Sequence, residues 1–267
     1  MNLKITLLGT GTSLGVPMVA CQCPVCRSTD PRDKRLRSSV LVEANGKNFI
    51  IDTGPDFRYQ MLRSNITHLE GILITHAHKD HTAGLDDVRA LNWINSTPAN
   101  VYGEPNVLES LRQEFSYAFS ESKYPGLPEI VLHGIDEHPF EVEGIPIIPI
   151  RVMHHHLPVM GFRIGDFTYI TDANYIAEEE FPKIEGSKVV VIDGLRHEPH
   201  ISHFHLQQAL DLIAIWKPER AFITHISHQL GRYRDVNPTL PKGVELGYDG
   251  LSFEISGNNF RVLECWL

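Results

Sequence analysis

Three things are scarce in this chain: cysteine, long apolar runs and positive charge. Four of the 267 residues are cysteines, and three of them crowd into Cys21-Gln22-Cys23-Pro24-Val25-Cys26. That spacing is too tight for ordinary disulfide geometry and argues against a disulfide framework; thiolates gathered around one ion suit it better. Cys265 stands apart near the C-terminus and reads as a small buried apolar residue. The apolar stretch Leu3 to Gly9 is far too short for a signal-peptide core or a membrane span, which points to a cytoplasmic protein with no membrane partner. Lys and Arg number 24 against 33 Asp and Glu, a formal net charge of -9, and no long basic run occurs. An electrostatic track for a nucleic-acid duplex needs clustered cations, so a small substrate is expected instead. Should that substrate be an anion, the charge that receives it must come from elsewhere than side chains, and bound metal is the obvious source.

What is abundant is apolar residues and histidine. With 42% hydrophobic content and fifteen histidines, the chain can bury a full core, and one domain over residues 1–267 is expected. Nothing decides between a monomer and a homodimer. β-branched runs predict strands at Lys4–Leu8, Ser39–Glu43 and Asn48–Asp52, the last two forming a hairpin around Ala44-Asn45-Gly46. Periodicity then predicts a helix at Phe57–Ser64, a strand at Gly71–Ile74 and a helix from Thr82 to Trp93. Further on come a strand at Asn100–Tyr102, a helix at Pro105–Tyr117 and an exposed loop from Ser120 to Pro128. Strands recur at Glu129–Leu132, Phe140–Val142, Ile145–Val152, Met160–Ile164, Thr168–Thr171 and Val189–Ile192. A helix at Leu206–Trp216 and strands at Arg220–Ile223, Leu251–Ile255 and Arg261–Glu264 complete the reading. No linker or repeat separates the halves, so two mixed sheets packed together with helices outside are expected, an α/β architecture.

The densest chemistry is His76-Ala77-His78-Lys79-Asp80-His81, directly after a short apolar strand. In extended chain His76 and His78 project to one side and can share an ion, while Asp80 and His81 fall where the chain turns into a helix and can reach a second. Two adjacent cations need an anionic bridge, supplied by a carboxylate or hydroxide. More ligands are expected at other strand ends, and His154, Asp172 and His225 each follow an apolar strand. Within His154-His155-His156 the spacing alone does not choose, and His155 is the second candidate.

These residues, with Asp52 in Ile50-Ile51-Asp52-Thr53-Gly54, resemble the metallo-β-lactamase superfamily over nearly the whole chain. The resemblance implies an αβ/βα sandwich with metals where the two sheets meet. It also implies His76, His78 and His154 on one ion, Asp80, His81 and His225 on the other, Asp172 between them, and Asp52 as a structural support.

Many reactions run on that fold, so local features must narrow the choice. Cys21, Cys23 and Cys26 need a fourth ligand to close a tetrahedral zinc, and His228 is the candidate. His225 and His228 stand three residues apart, so one short segment could brace both centres. In Ser202-His203-Phe204-His205-Leu206-Gln207 a histidine could donate a proton to a leaving oxygen, tuned by a carboxylate such as Asp193. His203 is preferred over His205, although either could instead cap the helix. Together with the Gly-rich opening Leu8 to Pro17 and the segment Glu245 to Gly250, these features resemble the PhnP branch, phosphodiesterases acting on cyclic phosphates, in which His203 corresponds to the proton donor. The segment from His154 to Met160 departs from that branch in length around Pro158.

The resulting expectation is a dinuclear phosphodiesterase holding two divalent ions, zinc or manganese, plus one structural zinc, and hydrolysing a small anionic phosphodiester by a metal-bound hydroxide. Two other readings stand beside it. One is a tRNase Z-like endoribonuclease, ranked lower because no basic arm is present and the loop Ser120–Pro128 carries one Lys. The other is a non-catalytic metal-binding or sensing protein, against which a complete ligand set and a proton-donor candidate argue.

Overall fold

Leu3, Ile5 and Leu7 alternate with Asn2, Lys4 and Thr6 along the first strand, and the apolar set is at most 3% exposed. That period of two repeats through the chain and sorts each strand into a buried and an outer face. The computed structural model describes residues 1–120, 124–257 and 259–263. The expectations for Cys265 and for the Glu264 end of the last strand lie outside them.

Among the described residues the strands are β1 (Asn2–Gly9), β2 (Ser39–Ala44), β3 (Lys47–Ile51), β4 (Gly71–Leu73), β5 (Ala99–Gly103), β6 (Ile130–Gly134), β7 (Phe140–Val142), β8 (Ile145–His154), β9 (Leu157–Ile164), β10 (Phe167–Ile170), β11 (Val189–Asp193), β12 (Arg220–Thr224), β13 (Val244–Leu246), β14 (Ser252–Ser256) and β15 (Asn259–Val262). They form two sheets, ordered β15-β14-β1-β2-β3-β4-β5-β6 and β13-β12-β11-β10-β9-β8-β7. The α-helices are α1 (Phe57–Ser64), α2 (Lys79–Thr82), α3 (Arg89–Asn95), α4 (Pro105–Glu114), α5 (Phe181–Ile184), α6 (Leu206–Trp216) and α7 (Tyr233–Val236).

Three apolar clusters define the layers. The central one joins the inner faces of both sheets, with Ile5, Val42 and Phe49 from the first meeting Phe162, Tyr169, Val191 and Phe222 from the second. A second covers the outer face of the first sheet, where Ile50, Ile72 and Val101 pack against Phe57 of α1 and Val107 and Leu111 of α4. The third seats Ala209, Ile213 and Trp216 of α6 on Ile170, Val190 and Ile192. Helix, sheet, sheet, helix is the αβ/βα sandwich.

Several expected elements shift. The helix expected over Thr82–Trp93 begins earlier, at Lys79, and breaks: α2 is followed by a 3-10 turn at Leu85–Val88 and then by α3. Gly84 marks the break, since a Cβ there would lie 2.1 Å from the Gly54 carbonyl oxygen. The helix from Pro105 stops at Glu114 and passes into a 3-10 turn at Ser116–Phe119. β8 and β9 pair in register as far as His154 opposite Leu157, so His154 ends its strand rather than following it, and Pro158 lies within β9. β13, α5 and α7 are absent from the sequence reading, because three or four residues are too few to show a period.

Candidate metal centre

β3 and β4 run parallel in one sheet, and β10, β11 and β12 run parallel in the other. Their C-terminal ends deliver Asp52, the His76–His81 segment, Asp172, Asp193 and His225 to one edge of the sandwich. Three of these residues turn sharply as they leave their strands: Asp52, Asp172 and His225 have φ of 66°, 51° and 55°. The left-handed region costs a non-glycine residue about 1 kcal/mol, and three such residues on one edge form a pattern typical of functional sites.

Donor atoms within 4.8 Å of one another form three groups here: His76, His81 and Asp172; Asp80, Asp172 and His225; and His154, Asp172 and His203. Asp172 belongs to all three. The expected partition into His76–His78–His154 and Asp80–His81–His225 is therefore not the grouping observed. His78 joins none of the groups: it is the exposed N-cap of α2, and its ring lies 4.5 Å from that of His76 and 5.3 Å from that of His154. His203, expected as a proton donor, stands within coordinating distance of His154 and Asp172. His155 is exposed with φ of 57° at the hairpin turn, which leaves His154 as the member of the triplet turned to the site.

His81 shows best what the cluster requires. Its Nδ1 lies 2.7 Å from Asp52 Oδ2, and a carboxylate there fixes the proton on Nδ1. Asp52 is itself held by the Thr75 backbone N–H, 2.9 Å from Oδ1, and the Thr75 hydroxyl, 2.9 Å from Oδ2. Nε2 of His81 lies 3.1 Å from Asp80 Oδ2 and 3.0 Å from Asp172 Oδ2; burial opposes the charged ring, but the Asp172 and Asp52 carboxylates outweigh it and hold the imidazole well above its ordinary value. Although those distances are short, neither contact has hydrogen-bond geometry, and Nε2 is fully buried with no hydrogen-bond partner. Nε2 of His76 is buried without a partner too, while its Nδ1 meets the Thr75 hydroxyl at 3.0 Å. Buried nitrogens and carboxylate oxygens set this close need a cation between them, a proton or a metal ion. Three imidazoles and two carboxylates around such a gap are a donor set suited to divalent metal ions.

The ionisation pattern follows from burial and charge. Burial pushes His76 well below the ordinary histidine value and His225 down to about 3, which keeps both rings neutral, as ligands must be. Burial opposes ionisation of Asp172, but the His225 and His81 imidazoles outweigh it and hold the carboxyl well below its usual range.

His203 Nδ1 lies 3.0 Å from Asp193 Oδ2 and 3.8 Å from Asp172 Oδ1. Burial alone would lower this imidazole, yet the facing Asp193 carboxylate prevails and raises it. Burial in turn pushes Asp193 up to about 6. His205 serves the helix instead, since its side chain accepts from the Gln208 backbone N–H at 3.1 Å and completes a capping box at the start of α6. The two candidates for one role thus separate.

Cys21, Cys23, Cys26 and His228 also lie within coordinating distance of one another. His228 Nδ1 is 3.4 Å from Cys21 Sγ and 3.3 Å from Cys23 Sγ. Burial opposes the Cys23 thiolate, but the Cys26 backbone N–H and His228 more than offset it and bring the thiol down to about 6, while burial pushes Cys26 up to about 11. A tetrahedral site for a thiolate-loving ion is the arrangement these four offer.

The sequence reading missed the hydroxyls around His225. Thr12 Oγ1 lies 3.2 Å from its Nε2, and Ser38 Oγ lies 3.3 Å from its Nδ1. It also missed the Ser202 carbonyl, which accepts from His154 Nδ1 at 2.7 Å. Thr12 had a weak signal in the Gly-rich opening; Ser38 and Ser202 had none.

Comparison with known proteins agrees with this geometry. A crystal structure described as a new diphosphatase from the PhnP family is 36% identical, with a TM-score of 0.90 over 98% of this chain and 99% of that one. An octanoyltransferase of Porphyromonas gingivalis is 40% identical over 264 residues, covering 97% of this chain and 53% of that protein. A ribonuclease Z of Mycobacterium sp. strain KMS is 26% identical over 178 residues, covering 61% of this chain and 57% of that protein. The chain thus spans about half the length of the curated relatives it matches. The model of the beta-lactamase superfamily domain matches residues 47–226, the stretch from Lys47 in β3 to the residue after His225. On that match and the clustered donor set, the chain belongs to the beta-lactamase superfamily, as a PhnP-like protein of the metallo-β-lactamase fold.

Proposed function

We propose that the protein is a dinuclear metal-dependent phosphodiesterase acting on a small, cyclic phosphodiester. The observation that carries the proposal is the buried, unpartnered Nε2 of His81 facing Asp80 and Asp172. In this reading His76, His78, Asp80, His81, His154, Asp172 and His225 hold two divalent ions, zinc or manganese, and Cys21, Cys23, Cys26 and His228 hold a structural zinc. A bound pair of divalent ions supplies a water acidic enough to attack near neutral pH and screens the charge on the phosphoryl oxygens.

The chain's own part is orientation and proton transfer. Asp52 and Thr75 fix the His81 and His76 rings, and the Ser202 carbonyl fixes His154. Water attacks phosphorus in line with the departing oxygen and releases one proton to solvent, the phosphorus–oxygen bond breaks, and His203 Nε2–H gives the departing oxygen its proton. Asp193 keeps the His203 Nδ1 proton in place and favours the charged ring. A small anionic substrate, rather than a nucleic-acid duplex or a membrane, is the proposed partner, in keeping with the net charge of -9.

A second reading has a specific support, the 36% identical relative described as a diphosphatase. An anhydride expels phosphate, a far weaker base than an alkoxide, and needs less help from a general acid. The acyl transfer named for the Porphyromonas gingivalis relative is not carried over, because this chain covers 53% of that protein.

Elemental analysis joined to a screen of cyclic and linear phosphodiesters and diphosphates, on wild type and His203→Ala, tests these readings together. About three metal ions per chain are expected, with diester turnover reduced about 100-fold or more in the variant and its metal content unchanged. Diphosphate cleavage that withstands the substitution, with negligible diester turnover in wild type, would favour the second reading.

A further inference from the structure

Two sequence motifs have no part in this mechanism, the Gly-rich opening Leu8–Pro17 and the late segment Glu245–Gly250, and the structure joins them. Asp249 is buried, and its Oδ1 accepts from the Thr10 backbone N–H at 2.9 Å and the Thr10 hydroxyl at 2.8 Å. Its Oδ2 accepts from the Leu36 N–H at 2.7 Å. Arg35, also buried, donates through Nη1 to the Thr10 hydroxyl at 2.8 Å and to the Gly247 carbonyl at 2.5 Å. The opening strand is thereby fastened at Thr10.

From that anchor the chain runs along the segment carrying the last metal-site histidine. The Ile226 N–H donates to the Thr10 carbonyl at 2.9 Å, and the Thr12 N–H donates to the Ile226 carbonyl at 3.2 Å. Gly11, sandwiched between Arg37 and Ile226 in a bridge to each, has no space for a side chain: a Cβ there would lie 2.9 Å from the Arg35 and Leu36 carbonyl oxygens. The backbone is thus held on both sides, and it places the Thr12 hydroxyl 3.2 Å from His225 Nε2. The opposite nitrogen, Nδ1, faces Asp172 Oδ2 at 3.1 Å, with the Ser38 and Thr171 hydroxyls farther off at 3.3 and 3.4 Å.

We propose that Thr12 is a positioning residue for His225, accepting its Nε2–H so that the Nδ1 lone pair turns to the metal pair. Asp249 and Arg35 anchor the strut that holds Thr12 there. The proposal rests on the reading of His225 as a metal ligand. An imidazole bound through one nitrogen is oriented by the partner of the other. A hydroxyl is a sufficient partner here because it is fixed through its own backbone, not by its side-chain rotamer alone.

The test uses the full chain in three forms, wild type, Thr12→Val and Thr12→Ser, with zinc affinity measured by competition against a chromophoric chelator and the unfolding midpoint measured on metal-stripped protein. Valine keeps the shape and removes the acceptor; serine keeps the acceptor. Thr12→Val is expected to bind one zinc of the pair about 10- to 100-fold more weakly, with the metal-free midpoint unchanged, and Thr12→Ser is expected to restore affinity to within about threefold. Wild-type affinity in Thr12→Val would overturn the proposal, as would a serine variant as weak as the valine one, which would make the methyl group the working part. Wild-type protein that takes up no pair of ions, or a His225→Ala variant with unaltered affinity, would overturn the dinuclear reading and the proposal through its premise. Should Thr12→Val unfold, Asp249→Asn, which loosens the strut without touching His225, is expected to weaken zinc binding in the same way whatever its own effect on the metal-free midpoint, and wild-type zinc affinity in that variant would overturn the proposal.

Discussion

Asp52 shows how one carboxylate can decide the chemistry of a site it does not enter. It accepts from three donors, the Thr75 N–H, the Thr75 hydroxyl, which reaches both oxygens, and His81, and burial raises its own proton affinity against them. Asp52→Asn leaves the shape unchanged but turns an N–H toward His81 Nδ1. His81 must then carry its proton on Nε2, aimed at the gap where a cation belongs. Zinc affinity is expected to fall about 10- to 100-fold with the far-ultraviolet circular dichroism spectrum unchanged; equal affinity in the variant would show that the tautomer is set elsewhere. His203 and Asp193 repeat the same pattern on the second sheet. In both pairs the carboxylate sits on the nitrogen that is not used.

Among the elements, the segment from Asp52 to α2 is the most constrained. Gly54 lies so near the next loop that a Cβ would fall 2.0 Å from the Asp80 carbonyl oxygen, and Gly84 faces the Gly54 oxygen in the same way at 2.1 Å. The N–H of Thr53 donates to the His81 carbonyl at 2.8 Å and that of Gly84 to the Thr53 carbonyl at 2.9 Å. Two loops from neighbouring parallel strands are therefore locked backbone to backbone, which holds Asp80 and His81 in place on a helix as short as α2. Gly54→Ala must push these loops apart and is expected to lose zinc binding and at least about 2 kcal/mol of stability. Gly46, in the β2–β3 hairpin with φ of 81° and open space around it, offers the contrast. Gly46→Ala is expected to cost about 1 kcal/mol through backbone strain alone and to keep its metal content. Denaturant unfolding with metal analysis on both variants separates close packing from local conformation.

Asp249 ties the segment before β14 to Thr10 and Leu36 near the start of the chain, and it does so at a cost that depends on pH. Burial pushes its carboxyl up to about 6 from an ordinary 3.8, and burial likewise brings Arg35 down to about 10. Both directions say that desolvation of each charge exceeds what the partner returns. A raised carboxyl keeps a proton in the folded chain that the unfolded chain has already released between about pH 4 and pH 6. Stability from this group therefore falls as pH rises through that window, by an amount on the order of 2–3 kcal/mol. Asp249→Asn cannot titrate, so its stability relative to wild type is expected to improve by that amount from pH 4 to pH 7 in denaturant unfolding of metal-stripped protein. Parallel curves would mean that the three hydrogen-bond donors around Asp249 fully offset its burial. No helix among the described residues is long and apolar enough to cross a membrane.

The sequence by itself determined the alternation of strands and helices, the two-sheet architecture and the identity of the histidine-rich segment, because each is a local signal: a period of two, a period of 3.6, or four donors within six residues. It also singled out Asp172, His154 and His225 by their places near strand ends. Where those strands lie relative to one another is a matter of long-range pairing, and only the tertiary structure decided it. Packing alone distinguished His203, against Asp193, from His205, two residues away and spent on a helix cap. It alone placed Asp172 in all three histidine–aspartate donor groups, left His78 exposed at the start of α2, and brought Thr12 to His225 across more than two hundred residues of chain. A hydrogen bond between residues so far apart leaves no periodic trace in a sequence, since neither partner's neighbours are altered by it.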